Sequence, residues 1–190
     1  MSDLPTTEMN TKPASLRVLW FTAAIVILDQ VTKLAIKGVP ALGIEGYPLG
    51  FSKPLLGDIF RLTYIENPGI AFGINFPALK IFFSLFSLVA AIGIYIYMKR
   101  NLHKLGKWEM LSLAFIMGGA IGNLLDRCFY GVFYGEESLF YGHVVDFIDF
   151  GYKKNWWPIF NVADSAVTIG VTILAAIMLF KKQPATQETV

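Results

Sequence analysis

The chain has 190 residues, 55% of them hydrophobic and only 16% charged, with a formal net charge of +2. A soluble domain runs near ~25% charged, so this composition excludes one and points to an integral membrane protein. One cysteine, Cys128, excludes an internal disulfide framework; two histidines, His103 and His143, in separate segments without HExxH exclude the usual zinc-peptidase arrangement; the small charge gives no footing for nucleic acid.

Residues 1–15 are polar, carry two prolines and lack periodicity, which reads as a cytoplasmic tail. The first span is expected at about 16–36, apolar through Leu28 and then interrupted by Asp29, Gln30, Thr32 and Lys33. A cleaved signal peptide is the competing reading, but Asp29 and Lys33 interrupt the segment before a small-residue cleavage site appears. Counted whole, the stretch is long enough for a retained helix, with Lys33 snorkelling or pairing with Asp29 four residues before it. Residues 37–76 are rich in Gly and Pro and cannot span. Within them Phe60-Arg61-Leu62-Thr63-Tyr64 alternates like a strand with one wet face, and Asn67-Pro68-Gly69 supplies a turn. A small β-element on the outer membrane surface is the expectation.

The second span, 77–98, holds one charge, Lys80, near its start. Lys99, Arg100, His103, Lys104 and Lys107 follow in a short connection, which the positive-inside rule makes cytoplasmic; Lys12 and Arg17, and Lys181 and Lys182, agree. The third span, about 108–127, carries Gly118, Gly119 and Gly122, a small-residue face for close helix approach, and ends with Asn123 and Arg127 on one side. Residues 128–160 form a second outer segment dense in aromatics, suited to headgroup depth. The fourth span, 161–180, precedes a cytoplasmic tail at 182–190. The expected fold is an all-α membrane protein of four transmembrane helices, with a small extracytoplasmic β-element and an aromatic outer loop. A single membrane-embedded domain covers 16–181. Both termini are inside, and Asp29, Asn67, Asn123, Asp126, Arg127, Asp146 and Asp164 gather at the outer end.

Carboxylates at the edge of hydrocarbon are costly and mark function by default. Asp146 and Asp164 lie 18 positions apart, each flanked by apolar residues. Asp164 has a bland reading as the capping-box partner of Asn161, and Asp146 as a solvated loop acid. Taken together, the two acids form a candidate pair for peptide hydrolysis without metal, cofactor or covalent intermediate. Two like charges held close share one proton; the ionised member activates water and the protonated member polarises the carbonyl. Asp164, in the first turn of a helix, is expected to be the more acidic. Ser165 lacks an activating base, Cys128 reads as an interfacial core residue, and His143 as a packing or solvent-facing one. A four-helix transporter using intramembrane carboxylates is the alternative; it would place its acid near the midplane and pair inverted halves. A lipid-binding assembly factor is a third reading, resting only on the aromatic loops.

Asp29-Gln30-Val31-Thr32-Lys33, Asn67-Pro68-Gly69-Ile70-Ala71-Phe72, Gly118 through Arg127, Val144-Val145-Asp146-Phe147 and Phe160-Asn161-Val162-Ala163-Asp164 together resemble the ordered signature blocks of bacterial lipoprotein signal peptidase, signal peptidase II. The resemblance covers about 16–180. It implies an aspartic peptidase of the bacterial inner membrane, active at the extracytoplasmic face. Its substrates would be diacylated prolipoproteins, cut before the lipid-modified cysteine, and its inhibitors cyclic peptides of the globomycin type. On the matching positions Asp146 and Asp164 would be the catalytic dyad, and Asp29, Lys33, Asn67, Gly69, Asn123, Asp126, Arg127, Asn161 and Ala163 would bind substrate or support the site. Asp149 is a nearby acid that the resemblance leaves outside catalysis. Two stretches are longer than the family pattern, 38–57 and the connection from Arg127 to Val144, which carries Glu136 and Glu137.

Overall fold

The computed structural model describes residues 15–69, 77–153 and 155–180. Most of both expected tails, the Lys181-Lys182 stop and the signature residues Ile70, Ala71 and Phe72 lie outside them. Four helices among the described residues are long and apolar enough to cross a membrane: Leu16–Lys37, Lys80–Arg100, Lys107–Tyr134 and Val162–Phe180.

The first begins with a 3₁₀ turn whose Arg17 N–H donates to the Ser15 hydroxyl, and continues as α1, Leu19–Lys37. It stops at Gly38, which takes φ +82° where a Cβ would run into the backbone of Gly46 as the short strands β1, Gly38–Val39, and β2, Ile44–Glu45, fold back. Helix α2, Pro77–Arg100, closes on Lys99 and Arg100, cations that suit the negative end of a helix. Helix α3, Lys107–Leu125, opens with the Gly106 N–H donating to the Glu109 carboxylate.

Helix α3 is the centre of the bundle because its small residues let both neighbours close in. A Cβ at Gly118 would press on Ile25 of α1, and one at Gly119 would strike the carbonyl of Ala163 in α5, Val162–Phe180. Thr22 of α1 donates its buried hydroxyl to the Ala114 carbonyl. Outward faces stay apolar and uncovered, as with Trp20 at 78% and Phe180 at 83% exposure. That is what a helix in hydrocarbon requires, since its backbone is satisfied internally and its side chains face lipid.

The third span differs from expectation at its end. It does not stop near Arg127; a π turn, Asp126–Tyr130, leads into α4, Gly131–Tyr134. The π turn frees carbonyls that the returning chain satisfies: Gly142 N–H donates to Arg127 O at 3.0 Å and Phe140 N–H to Cys128 O at 3.3 Å. Cys128 itself is buried.

The expectation of an all-α fold with a β-element confined to the first outer segment is also incomplete. The structure is mostly helical, but it contains an antiparallel sheet ordered β3, Ser52–Leu56; β4, Phe60–Asn67; β5, Val144–Tyr152; and β6, Asn155–Trp156. The strand foreseen at Phe60–Tyr64 is there and longer. Its main partner, β5, comes from the segment read as an aromatic loop, pairing Arg61 with Asp149 and Ile65 with Asp146. Val144 through Phe147 are buried on both faces, so the alternation that marks a half-wet strand is missing from that stretch.

Glu66 of β4 ties this sheet to the helices. Lys37 at the end of α1 donates to it at 2.5 Å, the Tyr64 hydroxyl donates to it, and His143 lies 3.4 Å away. The Glu136 and Glu137 of the longer connection extend the cluster to Lys37 and Lys80. Burial alone would raise the Glu66 carboxyl, but the hydrogen bonds from His143, Lys37 and Tyr64 outweigh it and hold the group at about 2, below its ordinary 4.5. A depressed carboxyl stabilises the fold above 4.5, and that contribution drains away between about 4.5 and about 2. The Glu66→Gln variant should therefore melt lower than the parent at neutral pH, by about 1–2 kcal/mol. The gap in melting temperature should close on acidification below 4.5; a gap independent of pH contradicts the ion cluster.

Candidate active site

The site is built where α1, α3, β5 and α5 converge. Asn161, just ahead of α5, is its hub. Its backbone N–H donates to Asp164 Oδ2 at 3.2 Å while its side-chain Oδ1 accepts from Asp164 N–H at 2.9 Å. That reciprocal pair is a capping box, so the bland reading of Asp164 is correct as geometry. It does not exhaust the residue. Asn161 Nδ2 also donates to Asp146 Oδ1 at 2.6 Å, and Asn123 Nδ2 donates to the other oxygen of Asp164 at 2.7 Å. One residue thus grips both acids, Asp146 on a strand through its side-chain amide and the Asp164 carboxylate on a helix through its backbone N–H.

Asp146 is buried; Asp164 is half-buried in the first turn of α5. Burial first, and then the Asp164 charge, push the Asp146 carboxyl from 3.8 to about 7, against the pull of the Lys33 charge and hydrogen bonds from Asn161 and Asn67. Asn67 is fixed in turn, since its Oδ1 accepts the Gly69 N–H at 2.9 Å in a turn where Gly69 takes φ +80°. A residue with a Cβ is strained at that φ, which is why glycine stands there. Asp146 opens onto a cleft of about 650 Å³ shared with Asn67, Arg61 and Trp157; Asp164 opens onto a smaller one that Trp157 and Phe160 also line.

Beneath the acids lies a buried charge cluster. Lys33 does not snorkel; it is fully enclosed, 2.9 Å from Asp29 and 2.7 Å from Asp126, with both carboxylates equally enclosed. Its third hydrogen bond, 2.9 Å, goes to Asn123 Oδ1, which also accepts from Asn161 at 3.0 Å. Asp29 Oδ1 accepts the Ala163 N–H at 2.9 Å and so pins the start of α5, while Asp126 Oδ2 accepts the Val145 N–H at 3.2 Å and pins β5. Each of the two carboxylates of the cluster therefore holds the backbone of the residue just before one catalytic candidate, Ala163 before Asp164 and Val145 before Asp146. Arg127 donates to the Asn123 carbonyl at 3.4 Å, and its charge acts on Asp126, Asp164 and Asp146.

All eleven residues singled out in the sequence fall in this region, in three layers: Asp146 and Asp164; Asn67, Gly69, Asn123, Arg127 and Asn161 around them; Asp29, Lys33, Asp126 and Ala163 below. Two participants were missed, Gln30 and Tyr130. Gln30 bridges Asp29, the Gly122 carbonyl and Asp126, and accepts from the Tyr130 hydroxyl. Gln30 stands inside the Asp-Gln-Val-Thr-Lys block, and its place next to Asp29 was the available signal. Asp149 is engaged elsewhere, accepting from the Thr63 hydroxyl at 2.6 Å. His143 sits half-buried against Glu66 and Lys80, outside the acid pair.

A family model described as signal peptidase (SPase) II matches residues 21–180. The lipoprotein signal peptidase of Desulforapulum autotrophicum is 38% identical over 182 residues, covering 93% of this chain and 99% of its own. That of Brevibacillus brevis is 41% identical over 162 residues, covering 82% and 92%. Two solved structures of bacterial membrane enzymes superpose with TM-scores of 0.72 and 0.70, at 27% and 28% identity, covering 95% and 90% of this chain and 98% and 99% of theirs.

Proposed function

That the chain belongs to the signal peptidase II family is the premise from which we propose that Asp146 and Asp164 are the catalytic pair of an aspartic endopeptidase. The protein is a multi-pass membrane peptidase that removes signal peptides from prolipoproteins. The aspartic mechanism is supported above all by one observation: Asn161 holds both carboxylates while Asp146 is raised to about 7. A carboxyl so raised carries the shared proton near neutral pH, which leaves Asp164 as the base.

In the reaction Asp164, ionised and steadied by Asn123 and the cap of α5, takes a proton from the water that attacks the scissile carbonyl. Asp146 hydrogen-bonds the carbonyl oxygen as charge develops there, and its proton passes to the leaving amine. Asn67, Gly69, Asn161 and Arg127 shape the floor around the peptide. Asp29, Lys33, Asp126 and Ala163 hold the floor in place. Cleavage falls before a diacylglyceryl cysteine, whose lipid sets the scissile bond at the depth of the acids and converts a weak encounter into an oriented one. The site faces the extracytoplasmic side of the bacterial inner membrane, both termini are cytoplasmic, and 16–181 acts as one unit. Cyclic peptides of the globomycin type occupy the same groove. The transporter alternative gains no support, because the relatives are peptidases.

The test is cleavage by purified protein in detergent of a lipidated precursor peptide and of the same peptide without lipid. The lipidated form should be cut with a kcat/KM higher by about 10²-fold or more; equal turnover of both contradicts lipid-directed positioning.

A further inference from the structure

Resting on the peptidase reading, we infer that Arg61 forms a subsite for an acidic side chain at the second or third residue after the cysteine of the substrate. The cleft that Asp146 opens onto continues along the sheet to Arg61, Asp149, Trp156 and Trp157. Along β5 it leaves the bundle: Val144 and Val145 are buried, while Phe150 and Tyr152 are more than half exposed. Of the two halves of a precursor, the signal peptide must stay in hydrocarbon and the mature half must leave it. The cleft suits the mature half.

Arg61 stands across the sheet from Asp149, three strand residues beyond Asp146. At about 3.3 Å per residue that is about 10 Å, which an extended substrate spans by the second or third residue past the cysteine. The guanidinium lies 4.3 Å from the centre of the Trp156 ring, so its plane is braced. Its Nε is buried and finds no hydrogen-bond partner among the described residues. A buried donor left open costs stability and calls for an explanation, and an arriving acceptor supplies one. Arg61 is also the only cation lining this cleft among the described residues. Among the described residues none of the acids lining the cleft forms an ion pair with it: Asp149, its cross-strand neighbour, accepts from Thr63, Glu66 is held by Lys37 and Tyr64, and Asp146 by Asn161. A planar fork with free N–H groups, backed by an indole, matches a carboxylate.

The experiment compares three lipidated peptides that differ only at the second and third positions after the cysteine, carrying Asp, Asn or Lys there. The parent protein should cleave the Asp peptide with a kcat/KM about 5- to 10-fold above the Asn peptide, with Lys lowest. In Arg61→Gln the Asp to Asn ratio should fall to about 1, and in Arg61→Glu the Lys peptide should overtake the Asp peptide; an inverted preference cannot arise from misfolding. Equal kcat/KM for the three peptides with the parent protein overturns the subsite, as does an unchanged ratio in Arg61→Gln. Cleavage of the Asn peptide by the parent, and its loss in Asp146→Asn, reports on the peptidase reading alone, so the two failures are distinguishable.

Discussion

Replacing either acid by its amide, Asp146→Asn or Asp164→Asn, should lower kcat/KM on a lipidated precursor by about 10³-fold or more while the protein still folds. General acid–base transfer alone contributes about 10²–10⁴, and here each group is needed in a specified state, so removing one disables both. The stabilities should move in opposite directions. Asp146 is raised from 3.8 to about 7, so folding disfavours its ionised form, and that cost grows as pH rises through this window. The Asp146→Asn variant escapes it and should melt above the parent at pH 8, with the gain shrinking toward pH 4. Asp164→Asn loses the charge that caps α5 and should melt slightly lower, by about 1 kcal/mol. Activity lost together with stability gained rules out misfolding as the cause. Turnover retained by either variant refutes the assignment.

The largest effect on folding should come from Lys33→Met. The ammonium is enclosed with two carboxylates that are themselves fully enclosed. Taking away the shared cation leaves two buried acids facing each other, and breaking a buried pair in this way costs about 3–5 kcal/mol. Against a total of about 5–15 kcal/mol that is a large share, and thermal melting in detergent should register it as a steep drop. The penalty belongs to the stranded charge and not to lost packing, because Met keeps most of the volume. A second substitution that removes one acid, Asp126→Asn, should therefore recover part of the loss. If the double variant is no better than the sum of the singles, the cluster is not coupled as described. In whatever protein folds, Asp146 loses a neighbour that favours its ionised form, so its carboxyl moves higher still.

The spans were legible because hydrocarbon imposes a single rule on long segments, which Val162 through Phe180 obeys for most of its length and Leu16 through Lys37 obeys as far as Leu28. The acid pair was legible because carboxylates are rare near such segments. The sheet was only half legible. Phe60 to Tyr64 alternates as a strand with one wet face does, whereas Val144 to Phe147 is buried on both sides and alternates in nothing. Asp146 was therefore read as a loop residue when it stands on a strand. Lys33 was missed as a buried centre because sequence spacing shows only the neighbour four residues away, Asp29. Its second partner, Asp126, lies 93 positions on and meets it only through packing. The end of α3 was misplaced for a similar reason: the carbonyls that let the π turn persist are satisfied by Phe140 and Gly142, from beyond the helix.

One measurement bears most directly on the shared proton: the pH dependence of kcat/KM for a lipidated precursor peptide, from pH ~4 to ~9, which reports the free enzyme's acid and base. The rate is predicted to fall as pH rises through about 7, where Asp146 gives up the proton it must donate. A rate that stays flat across that range, or climbs without turning over, contradicts it.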